Sequence, residues 1–182
     1  MNTNFLNSLT NFLKKRTIEL VGLLLVFISI ALSISFITYS PSDPSFIYGK
    51  QDLEINNFFG IYGSLISDFL LQSFGLVSFL LLITIISWGL NLITKKKISK
   101  ILFKLFYVVL YLSSGCILVY ITYNQSFWLI DNGNSGFVGQ TLYENLYIHF
   151  PLINHEYSIF VLIIITTSFF ILGSGISIKN LM

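Results

Sequence analysis

Chemistry in a polypeptide needs side chains that hold a metal, move a proton or attack an electrophile, and this sequence has few: eight carboxylates, two histidines and one cysteine in 182 residues. His149, His155 and Glu156 lie close together and could be joined by Asp131 or Glu144. That donor mix suits zinc, but the spacing matches no recognisable site, so these residues read as solvated loop residues. Cys116 stands alone, which excludes an intramolecular disulfide and any Cys-x-x-Cys metal or redox centre; within an apolar run it reads as a small buried hydrophobe. No G-x-x-x-x-G-K-[ST] phosphate loop exists, and the nearest glycine cluster, Gly173-Ser-Gly175, lacks the lysine, so nucleotide hydrolysis is not expected. A serine nucleophile at membrane depth would lack its base, because both histidines fall between the apolar runs. No catalytic residue, cofactor or metal ion is therefore expected.

Asp68 is the most informative ionisable residue, since a carboxylate in an apolar helix is costly unless it faces water, a partner or the bundle interior. A proton-coupled transporter could use one. Its position near the outer surface favours a structural or interfacial role. Glu19 follows Lys15 by four residues and Arg16 by three, which an exposed local ion pair explains. Asn124-Gln-Ser126 is a formal glycosylation acceptor, hindered by the adjacent membrane.

The elements that must position these residues are membrane spans. The chain is 54% hydrophobic and 10% charged, against roughly a quarter charged for a soluble domain. Its apolar bulk is Leu, Ile and Phe, more than so short a chain can enclose. Leu20 to Tyr39 is free of charge and long enough to cross. Phe58 to Ile93 would measure about 54 Å as one helix and overshoot a bilayer. It divides into a short amphipathic helix over 58–72 at the membrane surface and a span over 74–93, with Gly60, Gly63 and Gly75 as bending points. Two further spans cover 101–123, with Lys104 snorkelling near its start, and 158–178. The expected fold is thus a single all-α membrane domain over 1–182, a four-helix bundle with one extra amphipathic helix. Outer loops fall at 40–57 and 124–157, and an inner loop at 94–100.

Basic residues set the expected orientation. Lys14, Lys15 and Arg16, then Lys95, Lys96, Lys97, Lys100 and Lys104, then Lys179 all fall on one side, and only Lys50 on the other. The positive-inside rule places both termini in the cytoplasm. With a net charge of +2 and its lysines at span ends, the chain shows no face for binding DNA directly.

Gly60, Ser64, Ser67, Gly75 and Ser78, with Gly63, form a stripe of small residues around Asp68, of the kind that lets helices approach closely in lipid, within one chain as the default reading or between copies. Pro41 and Pro44 in Ser40-Pro-Ser-Asp-Pro-Ser45 end the first helix sharply. Gly133, Gly136 and Gly139, with Asn132, Asn134 and Ser135, mark a flexible turn before a short helix over 140–147.

Together these motifs resemble the N-terminal four-helix membrane domain of FtsK/SpoIIIE-type DNA translocases over nearly the whole chain. Thr38-Tyr-Ser-Pro-Ser-Asp-Pro-Ser45 is similar to that family's Y-x-x-x-D-P-S signature, through Tyr39, Asp43, Pro44 and Ser45. Asn57, Gly60, Gly63, Ser64, Ser67-Asp68 and Phe74-Gly75 are similar to its run of an asparagine, spaced glycines and a small residue before aspartate. Gly136-Phe-Val-Gly139 is similar to a glycine turn in its second outer loop.

The resemblance implies a non-catalytic anchor in the bacterial inner membrane, at the division septum, that holds a DNA pump and contacts other cell-division proteins. The ATP-driven motor of that family is absent from these 182 residues, so the sequence reads as a fragment or a separately encoded module. Family analogy implies a homo-oligomer, for which the Gly60 to Ser78 face is a candidate. The competing reading is a small transport protein whose solute or proton pathway uses Asp68.

Overall fold

The computed structural model describes residues 3–45 and 54–176, with side chains from residue 7 onward. Six α-helices account for most of it: α1 (Thr3–Ile37), α2 (Gly60–Phe74), α3 (Ser78–Lys95), α4 (Ile101–Tyr123), α5 (Gly136–His149) and α6 (Glu156–Ser174). There is no strand among the described residues. Four stretches are long and apolar enough to cross a membrane: Asn7–Ile37, Gly60–Lys95, Ile101–Tyr123 and Glu156–Ser174. The protein is an all-helical, multi-pass membrane protein, and its second apolar stretch is divided into α2 and α3 by a 3-10 turn over Gly75–Val77. Lys50, Asp52, Ile178 and Lys179 lie outside the described residues.

The spans pack as two antiparallel pairs, α1 with α3 and α4 with α6, and α3 links the pairs. In α1 and α3 two glycines face each other. A Cβ on Gly22 would stand 2.8 Å from the Gly89 carbonyl oxygen, and one on Gly89 2.7 Å from Val26 Cγ2, so the absence of side chains sets how closely the two helices lie. Ser29 Oγ donates to the Leu82 carbonyl at 2.9 Å across the same seam, and the Phe36 ring sits edge-on to Phe79 at 5.4 Å. In the second pair Thr166 Oγ1 donates to Ser114 Oγ at 2.9 Å, and the Tyr107 ring stacks on Phe169 at 5.8 Å. The link between pairs is polar as well. Ser87 Oγ donates to the Ser174 carbonyl at 2.8 Å, Trp88 Nε1 to that of Gly173 at 2.9 Å, and Thr84 shares a hydrogen bond with the buried Tyr111 hydroxyl.

The two ends of this bundle differ. At the lysine-bearing end, Glu19 of α1 pairs with Arg16 at 2.7 Å and also with Lys96, at the close of α3. The ion pair expected within α1 is present, and Lys96 extends it into a clasp between α1 and α3. Helix α1 runs back to Thr3, well before the apolar run at Leu20, because the residues between are helix-compatible and contain neither glycine nor proline.

At the opposite, loop-bearing end, α2 packs against the end of α1. Ser35 meets Gly63 while Tyr39 meets both Asp68 and Gln72. Helix α2 is inside-out compared with a surface helix of a soluble protein. It buries Gly63, Ser64 and Ser67 and exposes Tyr62, Ile66 and Phe69. The exposed Leu24 and Phe27 of α1 and Phe160 and Ile164 of α6 follow the same rule, which suits lipid as the solvent.

Helix α2 ends at Gly75, whose φ of 56° and ψ of −139° no residue with a Cβ adopts readily. A 3-10 turn over Gly75–Val77 then redirects the chain into α3. Replacing Gly89 by Leu is expected to force α1 and α3 apart and lower stability by about 2 kcal/mol. Leu90→Ala, on the exposed face of α3, serves as the control. Thermal melting of both variants in detergent, followed by circular dichroism, checks this.

Candidate functional site

The polar residues singled out in the sequence converge at the loop-bearing end, in three connected groups. The first is built on Asp43, which directly follows the turn after α1 and is buried. Its Oδ1 accepts from the Asn56 backbone amide at 2.9 Å and from Asn56 Nδ2 at 3.0 Å, and its Oδ2 accepts from the Asn57 amide at 2.9 Å. One carboxylate therefore ties the start of the first loop to its end, thirteen residues later. Asn57 carries the tie inward. Its Nδ2 donates to the Ser35 carbonyl of α1 at 2.9 Å, and its Oδ1 accepts from the Phe59 amide at 3.2 Å beside the start of α2. Ser35 Oγ in turn donates to the Gly63 carbonyl at 2.7 Å, and Ser64 Oγ to that of Pro44 at 2.6 Å. Gly63 has to lack a side chain, because a Cβ there would overlap Asn57 Oδ1 and stand 2.7 Å from Phe59 Cβ. Pro41 is exposed and Pro44 buried, while Ser45 is half-buried at the edge of the described loop.

The second group surrounds Asp68. The Tyr39 hydroxyl donates to Asp68 Oδ1 at 3.1 Å and accepts from Gln72 Nε2 at 3.0 Å, and Gln72 Oε1 accepts from Asn132 Nδ2 at 3.0 Å. The chain of four side chains runs from the first loop, over α2, to the second loop. The Tyr39 ring is also held edge-on to Trp128 at 5.8 Å.

The third group is backbone on backbone. Gly75 and Gly136 both have positive φ, 56° and 66°, and they touch: a Cβ on Gly136 would stand 2.7 Å from the Gly75 amide nitrogen. The Leu76 amide donates to the Asn134 carbonyl at 2.9 Å. Asn134 donates in turn through its amide to Asn124 O at 3.0 Å and through Nδ2 to Gln125 O at 2.7 Å. Asn124 Oδ1 accepts from the Ser135 amide at 3.1 Å. Gly139 packs on α4, where a Cβ would come 2.7 Å from the Cys116 carbonyl. Cys116 Sγ donates to the Phe74 carbonyl at 3.4 Å.

The small-residue stripe takes its default, internal form: Gly63, Ser64, Ser67, Gly75 and Ser78 are buried in the chain's own packing. Other expectations change at this end. Gly60 is not part of that packing. Open space surrounds it, and its φ of 60° at the start of α2 accounts for the glycine. Residues 133–135 form a closed, hydrogen-bonded turn instead of a flexible one, because Asn124 and Asn134 supply the partners its backbone needs. Helix α5 accordingly starts at Gly136, before Gln140. The Asn124 side chain is engaged in that turn. Sequence reasoning missed Ser35, which sits in an apolar helix like any other serine, and the roles of Gln72 and Asn132, whose only signals were a break in an apolar run and a place in a turn.

Chemically, the assembly is a fastening. It contains no nucleophile beside a base, and among the described residues no three His, Cys, Asp or Glu side chains come together. Every buried side-chain nitrogen or oxygen among the described residues has a hydrogen-bond partner. Asp43→Ala is expected to leave the Asn56 and Asn57 amides unpaired, costing about 3 kcal/mol. Hydrogen exchange over 54–60 should then rise well above that in Asp131→Ala, whose carboxylate is exposed.

Comparison with known proteins places this geometry in a lineage. Residues 14–182 match the model of the family described as the 4TM region of DNA translocase FtsK/SpoIIIE. A DNA translocase FtsK of Azospirillum brasilense is 32% identical over 94 residues, covering 51% of this chain and 15% of that protein. The DNA translocase FtsK of Rhizobium meliloti (strain 1021) is 35% identical over 98 residues, 53% of this chain and 11% of that protein. The one from Agrobacterium fabrum is 29% identical over 140 residues, 74% of this chain and 15% of that protein. The chain thus spans 11–15% of the length of the curated relatives it matches. No solved structure matches it significantly.

Proposed function

The chain belongs to the family of the 4TM region of DNA translocase FtsK/SpoIIIE, and on that premise we propose that it is the membrane anchor and interaction module of a DNA translocase serving bacterial cell division and chromosome segregation. Translocation itself falls to a motor outside these 182 residues, in keeping with a sequence that has no phosphate-binding loop. The observation that carries the reading is the end use of the motif residues. Tyr39, Asp43, Asn57, Asp68, Gly75 and Gly136 are all engaged in holding the two loops against the spans, which is the work of a scaffold.

The anchor sits in the inner membrane with the lysine-bearing end and both termini in the cytoplasm. The loop-bearing end, held in one shape, faces outward and presents the surface to other division proteins. Self-association, in this arrangement, uses exposed span faces, since the Gly60 to Ser78 stripe is filled from within. Asp68, joined to Tyr39, is a structural carboxylate in this reading and not a station on a transport pathway.

A fluorescent protein fused after Met182 and expressed in dividing bacterial cells tests the proposal. It is expected to fluoresce, as a cytoplasmic terminus requires, and to concentrate at midcell. A dark fusion would overturn the orientation, and bright signal spread evenly around the cell would remove the self-sufficient septal anchor.

A further inference from the structure

The lysine turn carries more positive charge than the fold uses. Of Lys95, Lys96, Lys97, Lys100 and Lys104, only Lys96 has an acidic partner among the described residues, namely Glu19. The bend that gathers them is tight, with Lys96 and Lys100 both in the left-handed region at φ of 54° and 53°. Lys100 then precedes α4, whose first amides receive no side-chain cap.

Between the first turns of α4 and the end of α6 lies a cavity of about 320 Å³, lined by Ser99, Lys100, Phe103, Lys104, Tyr107 and Leu172. Its lining is graded. Lys100 and Ser99 form the rim, and Lys104 follows one turn into α4, half-buried, with its ammonium in the space a Cβ on Gly175 would need. Phe103 flanks Lys104 on the rim side, and beyond Lys104 the wall is Tyr107 and Leu172. Tyr107 lies seven residues after Lys100, about 10 Å deeper than the rim. Neither Lys100 nor Lys104 has an ion-pair partner among the described residues.

We propose that this cavity binds an anionic phospholipid, its phosphate between Lys100 and Lys104 and the start of its acyl chain along Phe103, Tyr107 and Leu172. Positive charge alone serves to orient a membrane protein, and a soluble anion would engage the rim only. The cavity instead passes from charged to apolar over the distance, and in the direction, in which a lipid passes from headgroup to chain. An acidic protein segment would leave the apolar wall empty. The inference depends on the chain being in a membrane and not on which side the turn faces, so it stands independently of the septal role.

Native mass spectrometry of the 182-residue chain in detergent, with added phosphatidylglycerol, phosphatidylcholine of the same acyl chains, or inorganic phosphate, tests it. Phosphatidylglycerol is expected to be retained in preference to phosphatidylcholine and not to be displaced by phosphate. The double variant Lys100→Gln, Lys104→Gln should weaken its retention about thirtyfold, while Lys97→Gln, outside the cavity, changes it little. Leu172→Trp fills the apolar wall without altering charge and should also abolish retention. Leu172 is half exposed, so the fold tolerates the change, and circular dichroism of each variant verifies that. Equal retention of the two lipids, displacement by phosphate, an equal effect of Lys97→Gln, or undiminished retention in folded Leu172→Trp would each overturn the proposal.

Discussion

The Asp43 carboxylate is the point on which the loop-bearing end depends. A carboxylate taken out of water needs donors for both oxygens, and here they come from the two consecutive backbone amides of Asn56 and Asn57 and from one side-chain amide. Fixing those amides fixes Asn57. Its side chain then reaches the end of α1 on one side and the start of α2 on the other. The position of α2 against α1 follows, and with it the Asp68 to Tyr39 contact, which needs both helices in place. Removing the carboxylate therefore withdraws the support of contacts that do not touch it.

This order of dependence suits a protein whose solvent is lipid. Apolar burial cannot drive helices together when the surroundings are equally apolar, so specificity has to come from close packing and from hydrogen bonds. The spans use small residues where backbones meet, as at Gly22 and Gly89, and serine, threonine and tryptophan hydrogen bonds where they do not. The exposed surface is left to large apolar side chains, and the inside-out character of α2 is the same rule applied to a shorter helix.

Much of this was readable in the sequence, because four spans, the break in the second long apolar stretch and the punctuation at Pro41 and Pro44 are local signals of length, charge and backbone chemistry. The motif residues were also visible as positions. Their partners were not. Asp43 stands in a Ser- and Pro-rich segment that looks solvated, and only the return of the chain at Asn56 and Asn57 buries it. Asp68 looked unpaired because its partner, Tyr39, is a neutral donor 29 residues earlier. Gly60 and Gly63 looked alike in spacing, yet one answers to a backbone angle and the other to a collision with Asn57. Pairings of this kind are fixed by tertiary geometry, which periodicity does not encode.

The contact between Gly75 and Gly136 has a mechanical meaning. With no side chain between them, two segments 61 residues apart abut backbone to backbone, and one cannot slide past the other without breaking the adjoining hydrogen bond from Leu76 to Asn134. Side chains can change rotamer under load, but abutting main chains have no such compliance. A pull applied along the spans from the lysine-bearing end would meet its stiffest resistance at this junction, and the strain would gather at the other end, where α1 and α3 are joined by the side-chain clasp of Glu19 and Lys96.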